Sequence, residues 1–274
     1  MKPINHDYLR FAIFLGTFIT LAIFETTRPR RKLSNPRIGR WFTNLSLTFA
    51  NELLVKAVLG GAALGAAEYA SERGWGFLND VELSWPVEFV LGFLFLDFMV
   101  YLQHVVAHAL PFLWRFHMVH HSDLDVDVTT ALRFHPLDML ISMFYRIGLV
   151  AAMGIDPWTV VLFEIILNAS LQFNHSNIKL APVVDGRLRQ FVATPDFHRV
   201  HHSSEPEETN SNFGFIISWW DKLCGTYRAE PGMPYNLMQI GLGEYREADE
   251  LSLQSLITLP ASPRMGTYSF KKAE

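Results

Sequence analysis

The stretch "SWPVEFVLGFLFLDFMVYLQHVVAHAL" (84–110) decides the fold. Its apolar run is long enough to cross a hydrocarbon core of about 30 Å as a helix. Ser84 reads as an N-cap, Pro86 falls in the first turn, and Pro111 ends the run. Within it Asp97, Tyr101, His104 and His108 recur at i, i+4, i+7 and i+11, which is one face of a helix. A polar stripe inside a membrane helix faces a bundle interior or a cavity. The stretch therefore predicts a helix in a membrane bundle, with chemistry gathered at its histidine end.

Composition agrees with this. The 274 residues are 50% hydrophobic and 18% charged, where a soluble domain carries about a quarter charged. Mean hydropathy is positive. The net charge of −4 gives no reason to expect nucleic acid as a partner, and the single Cys224 excludes an intramolecular disulfide. Four further apolar runs accompany the first. The run at 8–24 resembles a signal peptide in length, but "ETTRPRRKLSNPRIGR" (25–40) follows it with a basic stop and no small-residue cleavage site, so it reads as a retained anchor. The run at 41–70 has a small-residue stripe suited to close helix packing. Runs at 137–153 and 157–174 flank the turn signal "GIDP" and read as a helical hairpin. The expected fold is an all-α integral-membrane bundle of three spanning helices plus that hairpin. It divides into N-terminal membrane helices (1–85), a catalytic region (86–228) and a C-terminal tail (229–274).

Arg28, Arg30, Arg31, Lys32, Arg37 and Arg40 crowd the first loop, whereas the loop at 71–85 is net acidic. The positive-inside rule puts the first on the cytoplasmic side and the second outside. The third run then returns to the cytoplasm, and the hairpin dips in from that side. Every histidine but His6 falls at or beyond a cytoplasmic membrane end.

Those histidines are not scattered. "FHMVHHSD" (116–123) and "DFHRVHHSSE" (196–205) each carry HxxHH, giving His117, His120, His121 and His198, His201, His202. At this histidine content chance supplies about 0.02 such matches per chain. His135 in "LRFHPLD" and His175 in "LQFNHSN" complete a set of ten with His104 and His108. A lone histidine beside proline, as His135 is, is most often a structural hydrogen-bonding residue. Ten clustered imidazoles without a metal would bind many protons near neutral pH, and one ion cannot use ten ligands, so two ions with open positions are expected. Spacing alone leaves iron, copper and zinc open. Asp97, Asp123, Asp125, Asp138 and Asp196 are candidates to orient imidazoles, Asp97 and Asp196 foremost, with surface solvation the expectation for Asp125. Glu164, Asn168, Gln172 and His175 repeat the polar stripe on the fifth run. With Tyr101 they are expected to border a substrate cavity where the two stripes face each other. "SSEPEETNSN" (203–212) reads as a solvated acidic loop or a lid.

HxxxH, HxxHH and HxxHH between membrane helices resemble the fatty acid hydroxylase/sterol desaturase superfamily of membrane di-iron enzymes. The likeness covers roughly 90–228 and extends to "LWRFHMVHHSD", "TALRFHP", "FNHSN", "TPDFHRVHHS" and "NSNFGFIISWWDKLCGTY". It implies two irons on His104, His108, His117, His120, His121, His175, His198, His201 and His202, with His135 where the family has an additional histidine. It further implies O₂ as co-substrate and hydroxylation or desaturation of a lipid of sterol, fatty acyl or alkylglycerol type, in a bacterial inner membrane. The chain has no GxGxxG loop and no iron–sulfur cysteine set, so electrons are expected from a separate ferredoxin, cytochrome-type protein or pterin. Arg115, Arg133, Arg187, Arg189 and Arg199 are candidates for a docking surface, with a local role the expectation for Arg199. A membrane metal-binding or transport protein is the alternative, although transport favours ligands at the midplane. A zinc hydrolase would want an HExxH-like base, which is missing.

Overall fold

A computed structural model describes residues 6–60 and 62–268. Among the described residues there are helices and isolated bridges but no strands. α1 (His6–Thr27), α2 (Arg37–Leu59), α3 (Ala62–Arg73) and α4 (Trp85–Ala109) lead to α5 (Pro111–His121). The hairpin is α6 (Pro136–Met153) and α7 (Pro157–His175). Five short helices follow: α8 (Pro182–Leu188), α9 (Pro195–His201), α10 (Pro206–Thr209), α11 (Trp219–Cys224) and α12 (Leu253–Thr258). Among the described residues there are four candidate membrane spans by length and apolar composition: His6–Thr27, the segment Arg37–Asp80 that holds α2 and α3, Trp85–Ala109 and Pro136–Met153.

Local sequence explains the boundaries. Proline stands in the first turn of α4 through α10, where its missing N–H is no loss. The expected 41–70 run is instead two helices, because Gly60 turns left-handed at φ 68° and ends α2. The small-residue stripe survives as buried Ala63, Ala67 and Ala70 on α3, which packs on α6 and α7. Gly154, at φ 67°, caps α6. A Cβ on Gly76 would lie 2.1 Å from the Gly154 nitrogen, so only a glycine pair lets the 74–80 loop seat on the hairpin turn. That contact places the turn at the end away from the histidines. At the other end Arg30 reaches Asp196, Arg31 reaches Asn177 and Arg40 reaches Asp123. The basic loop and the histidine segments thus share one end, as the charge pattern predicts.

The expected facing of polar stripes is not what holds α4 to α7. Leu96 and Val100 meet Val160, Phe163 and Leu167 in an apolar cluster. Asp97 turns the other way, to the Trp220 indole (2.8 Å) and the Ile217 amide (3.3 Å), and Tyr101 to Thr226 (2.9 Å). Glu164 pairs with Arg10 of α1 (2.7 Å) and lies 3.7 Å from Arg146 of α6, tying three helices together. The Asn168 amide bonds the Glu164 carbonyl of its own helix.

The C-terminal segment is a cover rather than a free tail. Leu242, Tyr245, Leu256, Leu259 and Tyr268 bury Leu47, Trp114, Met118 and Val119. The Trp114 indole donates to the Met265 carbonyl at 3.0 Å, closing the segment over the helix that carries the first HxxHH.

Candidate metal centre

The histidines form two groups side by side. His104, His108, His117, His121 and His201 make one, and His120, His175, His198 and His202 the other, with ring nitrogens within 4.8 Å inside each. The helical repeat causes the division. Positions i and i+4 of one HxxHH, His117 and His121, enter the first group while His120 enters the second. The other HxxHH is used in reverse: His198 and His202 enter the second group and His201 the first. Short α5 and α9 meet so that each motif serves both groups, and His121 stacks on His202 at 4.7 Å across the divide.

Hydrogen bonds fix which nitrogen points inward. The Nδ1 of His104 faces the Phe213 carbonyl at 2.8 Å and that of His201 the Ser211 carbonyl at 2.8 Å. The Nδ1 of His175 faces the Leu171 carbonyl at 2.7 Å. A carbonyl only accepts, so these Nδ1 atoms carry the protons and each Nε2 presents a lone pair. His117 Nδ1 lies 3.1 Å from Asp138, and His108 Nδ1 lies 3.3 Å from the Asn210 side-chain oxygen. The Nε2 atoms of His104, His117, His201 and His202 are buried with no protein partner. His175 Nε2 stands 3.1 Å from the Nε2 atoms of both His120 and His198, so inward lone pairs converge rather than pair with donors. With metal–nitrogen bonds of about 2.0–2.1 Å, neighbouring ligand nitrogens lie roughly 2.9–3.4 Å apart. The residues fit a metal in each group. Phe134 stacks on His120 at 4.5 Å and Phe215 on His104 at 4.5 Å, and Phe213 and Trp114 close the sides.

Burial holds the imidazoles neutral. Desolvation, then the neighbouring imidazoles, push His120, His121, His198 and His202 well below the ordinary histidine value, and burial does the same to His201. The unfolded chain takes up protons on them below about pH 6.5 while the folded chain does not. Stability from these groups is therefore complete above that pH and lost as pH falls below it. The unfolding midpoint of metal-free protein is expected to be level above pH 7.5 and to drop steeply below 6.5, with several protons taken up per molecule; a level midpoint down to pH 5.5 would contradict this.

His135, included in the expected ligand set, stands outside both groups. Its Nδ1 caps α6 by accepting from the Leu137 amide (3.1 Å), and its Nε2 faces the Ile257 carbonyl (3.2 Å). Both nitrogens are in use, so no lone pair remains for a metal. His135→Ala is expected to cost about 1 kcal/mol, the usual worth of a cap, and to leave metal content unchanged by elemental analysis.

The expected orienting carboxylates are also reassigned. Asp97 serves the 217–220 segment, as above. Asp196 takes a forked contact from Arg30 (2.9 and 2.8 Å) and lies 3.6 Å from Arg199. Asp125 is buried, not surface-solvated, and accepts from the Ser34 and Asn35 amides. Asp138 is the carboxylate on an imidazole. Asp138→Ala is expected to weaken metal binding by roughly 10–100-fold, the usual effect of losing such a partner, as read by competition with a chelator of known affinity.

Three features escaped sequence reasoning. The acidic 203–212 segment is solvated only in part: Glu205 and Glu207 are exposed, whereas Glu208, Thr209, Ser211 and Asn212 are buried, and Asn210 and Ser211 orient His108 and His201. Arg133 is buried and clamps the end of α5 through the Val119 carbonyl (3.0 Å) and Ser122 (2.9 Å). Arg40 grips Asp123 through two nitrogens (2.7 and 2.8 Å) and Asp127 (2.6 Å). Burial alone would raise the Asp123 carboxyl, but Arg40 holds it well below the usual carboxylate range. The expected arginine docking surface is not formed. Arg133 and Arg199 are buried, Arg189 pairs with Asp185, Arg115 bonds the Pro260 and Ser262 carbonyls, and Arg187 alone of the five is exposed.

Fold and site define an all-helical membrane protein with paired histidine clusters able to hold metal. The family model for the fatty acid hydroxylase domain matches residues 89–226, and the chain belongs to that family. It is similar to ornithine lipid hydroxylase OlsE of Rhizobium tropici, 30% identical over 80% of this chain and 67% of that one. It is also similar to alkylglycerol monooxygenase of Danio rerio, 31% identical over 78% of this chain and 46% of that one. Cholesterol 25-hydroxylase of Rattus norvegicus is 29% identical over 55% of this chain and 50% of that one. The chain thus spans two thirds of the first and about half of the other two. No solved structure gives a significant match.

Proposed function

We propose that the protein is a membrane di-iron oxidoreductase that uses O₂ and external electrons to hydroxylate or desaturate a C–H bond of a lipid. One observation carries the reading: two adjacent groups of five and four buried, inward-facing imidazoles at the end of apolar helices, in a chain whose relatives carry the names of lipid hydroxylases and monooxygenases. Iron bound there would supply the power to oxidise an unactivated C–H bond. The chain's own residues do the rest. Asp138, Asn210 and the carbonyls of Leu171, Ser211 and Phe213 keep the Nδ1 protons outward and the Nε2 lone pairs inward. Phe134, Phe213, Phe215 and Trp114 exclude water. Of the expected cavity residues, Tyr101, Glu164 and Asn168 are engaged in structural bonds. Gln172, buried one turn before His175 with both amide atoms unpartnered, remains the group free to meet a polar part of the substrate. A separate ferredoxin, cytochrome-type protein or pterin would bring electrons. The shared end of basic loop and histidines supports a cytoplasm-facing site in a bacterial inner membrane.

Anaerobic purification, metal analysis and O₂ uptake with a chemical reductant on a panel of ornithine lipid, alkylglycerol, sterol and fatty acyl lipids test this. Two irons per chain, with uptake stimulated by one lipid class and an oxidised product, are expected. Stoichiometric zinc without oxygen consumption would overturn it in favour of metal binding, transport or hydrolysis.

A further inference from the structure

A second feature lies where α1 leaves the membrane. An open cavity of about 360 Å³ is lined by Glu25, Thr26, Pro29, Arg31, Lys32, Leu33, Arg37 and Asn177. Two of its guanidinium groups are incompletely used. The Arg31 Nη1 donates to the Met238 carbonyl at 2.8 Å, and Arg37 lies 3.7 Å from Glu25. The Nε atoms of both are buried and without a partner. An unsatisfied buried guanidinium N–H is costly, and an oxyanion is what satisfies it best. Glu25 fills this role only in part: its Oε2 is taken by the amides of Val128 (3.1 Å) and Asn177 (3.0 Å), and its Oε1, buried without a hydrogen-bond partner, stands 3.7 Å from Arg37, beyond bonding distance and away from Arg31.

Charge around the cavity is unbalanced in the same direction. Arg30 and Arg199 stand behind it on Asp196, and Arg199 leaves Nε and Nη1 buried without hydrogen-bond partners. Burial lowers the Arg31 guanidinium's hold on its proton, Asp125 only partly offsets this, and Arg246 adds to it. Exposed Arg28, Lys32 and Lys179 flank the mouth. Position selects the source of the anion. The cavity opens directly after the last turn of α1, whose Ile19, Ile23 and Phe24 are exposed as lipid-facing residues would be. Its floor is Asn177, two residues beyond His175, stitched to Arg31 by paired bonds of 3.2 and 2.8 Å.

We propose that this cavity receives the oxyanion headgroup, phosphate or carboxylate, of a membrane lipid and so anchors that lipid beside the α7 end of the metal centre. Taking the anchored lipid as substrate rests on the lipid-oxidising reading above. Binding itself does not, since it needs neither metal nor O₂, so either idea can fail alone.

The test uses delipidated full-length protein in detergent, titrated with dioleoylphosphatidylglycerol or with dioleoylglycerol, which has the same chains and no oxyanion, and read by native mass spectrometry. One saturable phosphatidylglycerol is expected, preferred at least tenfold. Arg37→Gln and the exposed Lys32→Glu are each expected to remove that preference with helicity and metal content intact. Arg187→Gln, exposed outside the cavity, is expected to keep it. Equal retention of both lipids, or equal loss of preference in Arg187→Gln and Arg37→Gln, would overturn the site in favour of general surface charge. Displacement of the lipid by micromolar inorganic phosphate would overturn the lipid assignment in favour of a free anion.

Discussion

His198→Ala is expected to leave one metal per chain, whereas His201→Ala, three residues away in the same motif, retains two. The two side chains look equivalent in sequence, yet they serve different groups. Removing His198 leaves three imidazoles where the other group would keep four, so the ion of the smaller group is held by the fewest protein ligands and is the one expected to be lost on purification. Removing His201 leaves four in a group of five, still enough to hold an ion, with weakened affinity. Turnover is expected to fall by about 10³ or more in His198→Ala, since losing even one electrostatic contact at a reaction centre costs about 10²–10³. Elemental analysis of both variants, purified in parallel, checks the partition. Equal metal loss in the two would mean that the motif acts as one ligand set.

Arg40→Met is expected to be the most damaging change far from any ligand. Its guanidinium is the counter-charge to buried Asp123 and Asp127, and removing one partner of a buried pair costs about 3–5 kcal/mol because the other charge is left stranded. In a chain of this size that lowers the unfolding midpoint by roughly 10 °C. Loss of metal should accompany it, since Asp123 lies two residues after His121. Adding Asp123→Asn and Asp127→Asn to Arg40→Met neutralises the stranded carboxylates and is expected to recover part of the midpoint. A single variant that melts like the parent would show that Arg40 acts only as a topological surface charge.

Arg40 also shows where one-dimensional reading stops. Its charge was legible as part of a basic loop, and that loop does lie at the histidine end. Its partners, 83 and 87 residues along the chain, were not legible, because pairing at that distance leaves no periodic trace. The same holds for the 203–212 segment. Its acidic, polar composition reads as solvated, yet its second half is turned inward, with the Asn210 side chain and the Ser211 carbonyl bonded to imidazoles. Asp138 could have been preferred over Asp97 and Asp196 only by knowing which face of α6 meets α5.

By itself the sequence determined the helical membrane class, the hairpin, the shared end of basic loop and histidines, and a set of ten candidate histidines of which the two groups contain nine. Hydrophobic length, charge asymmetry and i, i+4 spacing are local properties, written directly in the order of residues. Only the tertiary structure decided how those nine divide into five and four, why His135 is a cap, and which groups hold the Nδ1 protons. It also decided that the C-terminal segment is a cover. Each of these depends on contacts between segments distant in the chain, where the geometry of packed helices, and not their spacing, sets which lone pair meets which neighbour.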